Sequence, residues 1–127
     1  MTMYKVRIST EDRLFSEFIR KRAIRISGGC QRCLSQKTNY KQLQCSHLWG
    51  RRNKATRWDP DNCIGLCSGC HAYFTANPIE HQDWFRKHLG DERFEQLRLR
   101  AQGVKKVDIV VVRLYLNQLL KNEMALA

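Results

Sequence analysis

Apolar residues recur at helical spacing in the first part of the chain. Leu14, Phe15, Phe18, Ile19, Ala23 and Ile26 fall three or four positions apart, predicting a helix to residue 26. Ser9-Thr10-Glu11-Asp12 places an acid three residues after a serine, a variant of the capping box. Gly28-Gly29 supplies the stop. Ahead of this helix, Tyr4-Lys5-Val6-Arg7-Ile8 alternates apolar with basic, the rhythm of a short edge strand.

The middle of the chain reads differently. Residues 41–49 suit a strand and Cys63-Ile64-Gly65-Leu66 a returning one. Between them lies a polar, basic loop with the turn signal Asp59-Pro60-Asp61-Asn62. From Ser68 the pattern is helical as far as Asn77. Asn77-Pro78-Ile79-Glu80 then gives an N-cap, proline at N1 and glutamate at N3, starting a helix that runs to Leu89 and stops at Gly90. Asp91 is expected to cap another, with Phe94, Leu97 and Ala101 on one face and Gly103 at its end.

Asp108 opens a last segment, Ile109 to Met124, whose Ile-Val-Val-Val start fits strand or helix; its length and its Asn117-to-Lys121 tail favour helix. Ile109, Val110, Val111, Val112, Leu114, Tyr115, Leu116, Leu119, Leu120 and Met124 would cover nearly the whole circumference of that helix. So apolar a helix calls for burial on several sides. A homodimer through the C-terminal segment is one way to supply it; burial against the helices at 11–26 and 92–102 of the same chain is the other.

Composition narrows the class. A hydrophobic fraction of 43% and a charged fraction of 28% belong to a globular chain and argue against a disordered tail. No run approaches the length of a membrane span, and residues 1–13 lack the apolar core of a secretory signal, so a cytoplasmic location is expected. The net charge of +11 is unevenly spread. Fourteen lysines and arginines but only three acids lie in residues 1–58, whereas residues 59–127 balance nine against nine. Arg20, Lys21, Arg22 and Arg25 form a basic ridge on the first helix. A one-sided excess of this size is the electrostatic footprint for a polyanion, with nucleic acid the expected partner ahead of a merely solvated basic surface, and with no anchor or lipidation motif pointing to a membrane.

Six cysteines add chemistry. Cys30-x-x-Cys33 and Cys67-x-x-Cys70 are two knuckles whose four sulfurs complete a tetrahedral thiolate site, the pattern of structural Zn²⁺. Paired disulfides are the competing reading, disfavoured in a reducing compartment. Residues 34–66 between the knuckles form an inserted element clamped at its base. Cys45 and Cys63 sit in short extended segments and read as small core residues.

His47 near the end of the first strand, Asn62 at the start of the second and His71 directly after Cys70 complete the pattern. Strand, loop, strand and helix would bring the three together beside the zinc without using it.

In this order the residues resemble an HNH nuclease of the ββα-metal (His-Me finger) type. The matching features are Cys30-x-x-Cys33, Ser46-His47, Asp59-x-x-Asn62 and Cys67-x-x-Cys70-His71. Asp12-Arg13-Leu14-Phe15-Ser16, Ile19-Arg20 and His47-x-x-x-Arg51 make the chain similar to the phage lambda NinG (Rap) recombination-nuclease family over roughly residues 12–90. The resemblance implies an α+β fold, with a small ββα-metal core flanked by N- and C-terminal helices. It also implies a metal-dependent DNA endonuclease with branched recombination intermediates among its substrates, in a bacterial host cytoplasm. One domain, 1–127, would then comprise a basic strand and helix (1–29), the zinc-clamped core (30–77) and a helical extension (78–127).

By the same resemblance His47 is the general base, its imidazole titrating near the ordinary 6.5. His71 is a ligand of catalytic Mg²⁺ or Mn²⁺, and Asn62 orients the base. Arg51, Arg52, Lys54 and Arg57 in the loop grip phosphates, with Arg20 and Arg22 adding DNA contacts from the helix. One departure stands out. Many HNH nucleases carry a metal-binding Asp or His just before the base, where this chain has Ser46. Either Asp59 supplies the oxygen, with turn capping as its other role, or the ion rests on His71, substrate phosphate and waters. Cys45 could reach the ion only with a bulged strand, and its thiolate would select a softer metal. The alternative to catalysis is a non-catalytic, zinc-stabilised nucleic-acid-binding module, and a third class is a zinc-stabilised protein-interaction regulator.

Overall fold

A computed structural model describes residues 7–103 and 106–127. Within them the chain is α+β, with five α-helices and one two-stranded antiparallel sheet. Helix α1 (Thr10–Ser27) starts as the sequence predicts. Ser9 accepts from the Asp12 N–H at 3.1 Å, and the Asp12 carboxylate takes the Ser9 N–H at 2.9 Å. It ends at Gly28, whose φ of 69° a side chain would strain. The expected edge strand at 4–8 falls mostly outside the described residues; Arg7 and Ile8 carry no strand.

Strands β1 (Gln44–His47) and β2 (Cys63–Leu66) pair antiparallel, Gln44 opposite Leu66 and His47 opposite Cys63. The expected strand at 41–49 is shorter than its sequence span for a local reason. Tyr40–Gln42 forms a 3₁₀ turn, with Asn39 accepting from the Lys41 N–H and Gln42 reaching back to the Asn39 N–H. Beyond His47 the chain leaves the sheet for the loop.

Helix α1 packs across both strands. The approach is close enough that a Cβ on Gly65 would lie 2.6 Å from that of Ala23, so glycine is required there. Helices α2 (Ser68–Ala76), α3 (Pro78–Leu89) and α4 (Asp91–Ala101) follow. Their boundaries match the sequence reading, but two caps do not. Asn77 makes no cap bond to α3; its amide nitrogen donates back to the Tyr73 carbonyl of α2. Gly90, not Asp91, is the N-cap residue of α4. Ile64, Leu66, Phe74, Phe85, Phe94 and Leu97 form one buried cluster under these elements.

A second cluster joins Phe15, Phe18 and Ile19 to Cys63, Leu116 and Leu120. The last two come from α5 (Ile109–Leu126), which Asp108 caps by accepting from the Val110 and Val111 N–H groups. Two ion pairs fix α5 to α1: Glu11 with Arg113 at 2.6 Å, and Arg25 with the buried Glu123. Of the several sides expected to be buried, the chain itself covers one stripe of α5, and Val110, Val111, Leu114 and Tyr115 stay exposed. No described helix is long and apolar enough to cross a membrane.

Candidate functional site

The two knuckles converge. Cys30, Cys33, Cys67 and Cys70 bring four sulfurs within 4.8 Å of one another, positioned to hold a metal ion. All four cysteines are free thiols. Each knuckle has local reasons for its shape. Leu34 takes a left-handed φ of 63° while its N–H reaches the Cys30 carbonyl at 2.9 Å, and the Cys67 sulfur accepts from the Cys70 N–H. Gln31 docks the first knuckle on β2: its N–H donates to the Gly65 carbonyl at 2.9 Å, and its amide oxygen accepts the Gly65 N–H at 2.8 Å. Arg32 reaches the Cys70 sulfur at 3.3 Å with its guanidinium over the Tyr73 ring. Hydrogen bonding from Ser35 pulls the Cys33 thiol down to about 6, whereas burial pushes Cys70 up to about 12. Four cysteines with no oxygen donor fit Zn²⁺, and a bound cation would hold all four as thiolates.

Asn62 lies fully buried at the root of the loop. Its amide donates to the Trp49 carbonyl at 2.7 Å and the Thr56 carbonyl at 3.1 Å, and its oxygen accepts the Trp49 N–H at 2.8 Å. One side chain thus closes the loop on itself. The far end is held as well, because Asn53 donates to the Ala101 carbonyl of α4 at 2.8 Å.

The closed loop in turn positions His47. Its Nε2 lies 3.1 Å from the Arg57 carbonyl oxygen. A carbonyl can only accept, so Nε2 carries the proton and Nδ1 the lone pair. The ring also packs 6.1 Å from that of Phe15. Burial, with Arg51 and Arg57 nearby, pushes His47 down to about 4, well below the ordinary value expected from sequence. A cavity of about 370 Å³ opens beside it, lined by Arg13, Arg20, Gln44, Cys45 and Arg51 among others. Asp12 also lines this cavity, but its charge is already matched. Burial would raise its carboxyl; hydrogen bonds from Arg57 and the Ser9 N–H outweigh that and hold it at about 2. The cavity therefore presents three arginines with no free carboxylate charge to oppose them.

His71 is half-buried at the start of α2, its Nδ1 2.6 Å from the Gln44 side-chain oxygen. That oxygen accepts, leaving the lone pair on Nε2. Burial and Arg51 lower its pKa, so Arg51 is close enough to be felt by both histidines. No described carboxylate joins His71 in a cluster of three ligands. Ser46 is buried, and Asp59 is engaged elsewhere: it caps the 3₁₀ turn Pro60–Asn62 and pairs with Arg100 at 2.7 Å. Asp59 thus takes the turn-capping role.

The expected phosphate grip divides in two. Arg51 and Arg20 line the cavity, Lys54 and Arg52 are exposed, and Arg20 also bonds the Ser16 carbonyl and lies over Tyr40. Arg22 and Arg57 are instead committed to the fold. Arg22 donates to the Pro60 and Cys63 carbonyls, and burial lowers its pKa. Arg57 makes a two-pronged pair with Asp12 and reaches the Arg7 carbonyl.

No family model matches the chain, and no curated protein or solved structure matches it. The site is therefore read from its own chemistry.

Sequence reasoning missed Gln31, Arg32 and Arg13. Gln31 and Arg32 sit inside the first knuckle, where only the cysteines carried a pattern. It also read Cys63 only as core, and Cys45 as core or, with a bulged strand, as reaching the catalytic ion. Cys63 is buried as expected, but both sulfurs lie within 4.8 Å of a His47 ring nitrogen and of each other. The strand register was the available signal. Positions 45 and 47 share a face of β1, and Cys63 is the direct partner of His47.

Proposed function

We propose that the protein is a metal-dependent DNA endonuclease of the HNH type, stapled by a structural zinc at Cys30, Cys33, Cys67 and Cys70. One observation carries the reading above the others. The half-buried His47, whose Nδ1 lone pair is left free by the Nε2 contact to the Arg57 carbonyl, lines a cavity together with Arg13, Arg20 and Arg51. A neutral imidazole in a cavity lined by guanidinium groups suits hydrolysis of a phosphodiester.

In this reading the arginines hold the scissile and flanking phosphates. His47 Nδ1 takes a proton from the attacking water, and Asn62 keeps the loop, and with it the Arg57 carbonyl, in place. Because its pKa is low, His47 is always unprotonated at neutral pH but is a weaker base than an ordinary histidine. A divalent ion at His71 Nε2 would stabilise negative charge on the phosphate and leaving oxygen. With one imidazole and no carboxylate clustered with it among the described residues, the site offers an ion little without substrate oxygens and water. That donor set suits Mn²⁺, Co²⁺ or Ni²⁺ better than Mg²⁺. A homodimer through α5 would supply two active sites to a duplex or branched DNA.

The test is nicking of supercoiled plasmid with each ion, against chelator and a His47→Ala control. Duplex, flap, fork and four-way-junction substrates should be compared at one salt concentration, since a chain of net charge +11 binds any DNA at low ionic strength. Metal-dependent cutting lost in His47→Ala is the expected result. The weak donor set at His71 favours the second reading, a zinc-stabilised binding module. Tight DNA binding without cutting under any ion would establish that reading instead.

A further inference from the structure

We infer that Cys45, His47 and Cys63 form a second metal site for a thiophilic ion such as Zn²⁺, separate from the four-cysteine centre, and that filling it disables His47. The strand register builds the site. Cys45 and His47 lie two positions apart on β1, and Cys63 sits opposite His47 on β2. All three side chains therefore share one face of the sheet, and their ligand atoms lie within 4.8 Å of one another. In a tetrahedral zinc site neighbouring ligand atoms stand about 3.5–3.8 Å apart, so the three need close by no more than about 1.3 Å.

The donor set decides which ions enter. Two thiolates and an imidazole select zinc-like ions and reject Mg²⁺ and Ca²⁺, which need oxygen ligands. The histidine is already arranged as a metal ligand. Its Nε2 proton is held by the Arg57 carbonyl, as ligating histidines usually donate their other N–H, so Nδ1 is the free donor. There is also a route in. Cys45 and His47 line the 370 Å³ cavity while Cys63 lies buried beneath, so an ion arrives through the cavity without unfolding the chain. Binding releases one proton from each thiol to solvent and changes no oxidation state. Three protein ligands leave a fourth position for water.

The functional consequence rests on the nuclease reading. A lone pair given to zinc cannot accept a proton from water, so His47 is either base or ligand. Free zinc above the amount needed for the four-cysteine site would then inhibit.

The test counts metal first. Zinc-loaded protein, kept in a non-thiol reductant, is titrated with Zn²⁺ against a chromophoric chelator and with Co²⁺ by absorption. Wild type should take up a second equivalent, weaker than the first, with a thiolate-to-cobalt charge-transfer band. Cys45→Ala, whose residue is only half-buried, and Cys63→Ala should each lose that equivalent while retaining the first. A wild-type chain that stops at one equivalent overturns the site, as does a second equivalent that survives in Cys45→Ala. Excess zinc should slow wild-type plasmid cutting at least tenfold and slow Cys45→Ala, relative to its own rate, less than twofold. Equal inhibition of both overturns the His47 switch. A chain that never cuts DNA removes the nuclease reading, yet the metal count still decides the site.

Discussion

Asn62 holds Trp49 by both of its backbone groups, donating to the carbonyl at 2.7 Å and accepting from the N–H at 2.8 Å. A third bond to the Thr56 carbonyl makes the side chain the clasp of the whole loop. Removing it in Asn62→Ala leaves a donor and two acceptors without their partner in a buried site. Each such group costs about 1–3 kcal/mol, so a loss on the order of 3 kcal/mol is expected. Urea unfolding of zinc-loaded protein measures it. A change below about 1 kcal/mol would mean that water takes over the clasp. Asn62→Asp should fare no better, because a carboxylate has no N–H for the two carbonyls.

The four-cysteine site should contribute folding free energy directly. Chelation of the bound zinc, or Cys67→Ser, is expected to abolish the cooperative thermal transition or lower it by more than 10 °C. Metal analysis of the folded protein provides the baseline of one zinc per chain. Folded protein without zinc would remove the staple.

The pH profile separates a buried base from an ordinary one. With His47 near 4, its neutral fraction barely changes between pH 5 and 7. An unperturbed histidine near 6.5 would instead lose about 25-fold in neutral form over that interval. Single-turnover cutting at fixed metal should therefore lack an acid limb from His47 above pH 5. The same shift has a stability sign. The unfolded chain binds a proton here that the folded chain refuses, so stability rises with pH between about 4 and 6.5 and falls as the medium is acidified through that window. His81, which burial also pushes down to about 4, adds in the same direction.

Arg57 and Arg51 look alike in sequence and should behave in opposite ways. Arg57→Ala leaves the buried Asp12 carboxylate held only by the Ser9 N–H and the Trp58 indole N–H, and should cost about 3 kcal/mol of stability. Arg51→Ala should leave stability within about 0.5 kcal/mol. It should weaken DNA binding and reduce the slope of log affinity against log salt by about one. Melting curves and salt-dependent binding titrations on both variants give four numbers. A large fall in the salt slope for Arg57→Ala, with stability unchanged, would return that residue to the DNA-facing surface.

This contrast marks where the sequence was legible. Helix boundaries followed from spacing, caps and the glycines at 28 and 90, all of them local signals. The knuckles were legible because four cysteines at fixed spacing have few uses. The roles of the arginines were not. A basic residue four positions from another looks the same whether its partner is solvent, a phosphate or a carbonyl 41 positions away, as with Arg22 and Cys63. The depressed pKa of His47 was hidden for the same reason, since burial depends on Phe15 and on the loop from Asn62, contacts distant in the chain.

Helix α5 leaves an apolar stripe uncovered. Val110 and Leu114 are about two-thirds exposed, at 68% and 67%, with Val111 and Tyr115 beside them. Their opposite faces, at Val112, Leu116 and Leu120, already pack on α1, so rotation of the helix cannot hide the stripe. Antiparallel pairing with a second copy along positions 110, 111, 114 and 115 would cover the stripe. Four such side chains bury less than the roughly 800 Å² per partner of a standard interface, so a weak, micromolar dimer is expected. Salt then discriminates. Two chains of net charge +11 repel, and screening lowers that cost, so sedimentation equilibrium should find more dimer at 0.5 M than at 0.1 M salt. DNA binding moves the other way over the same range. Leu114→Glu should leave a monomer at every salt concentration, with its melting temperature little changed because the side chain points away from the core. A wild-type chain that stays monomeric at tens of micromolar in high salt would leave each copy with a single site, able to nick one strand.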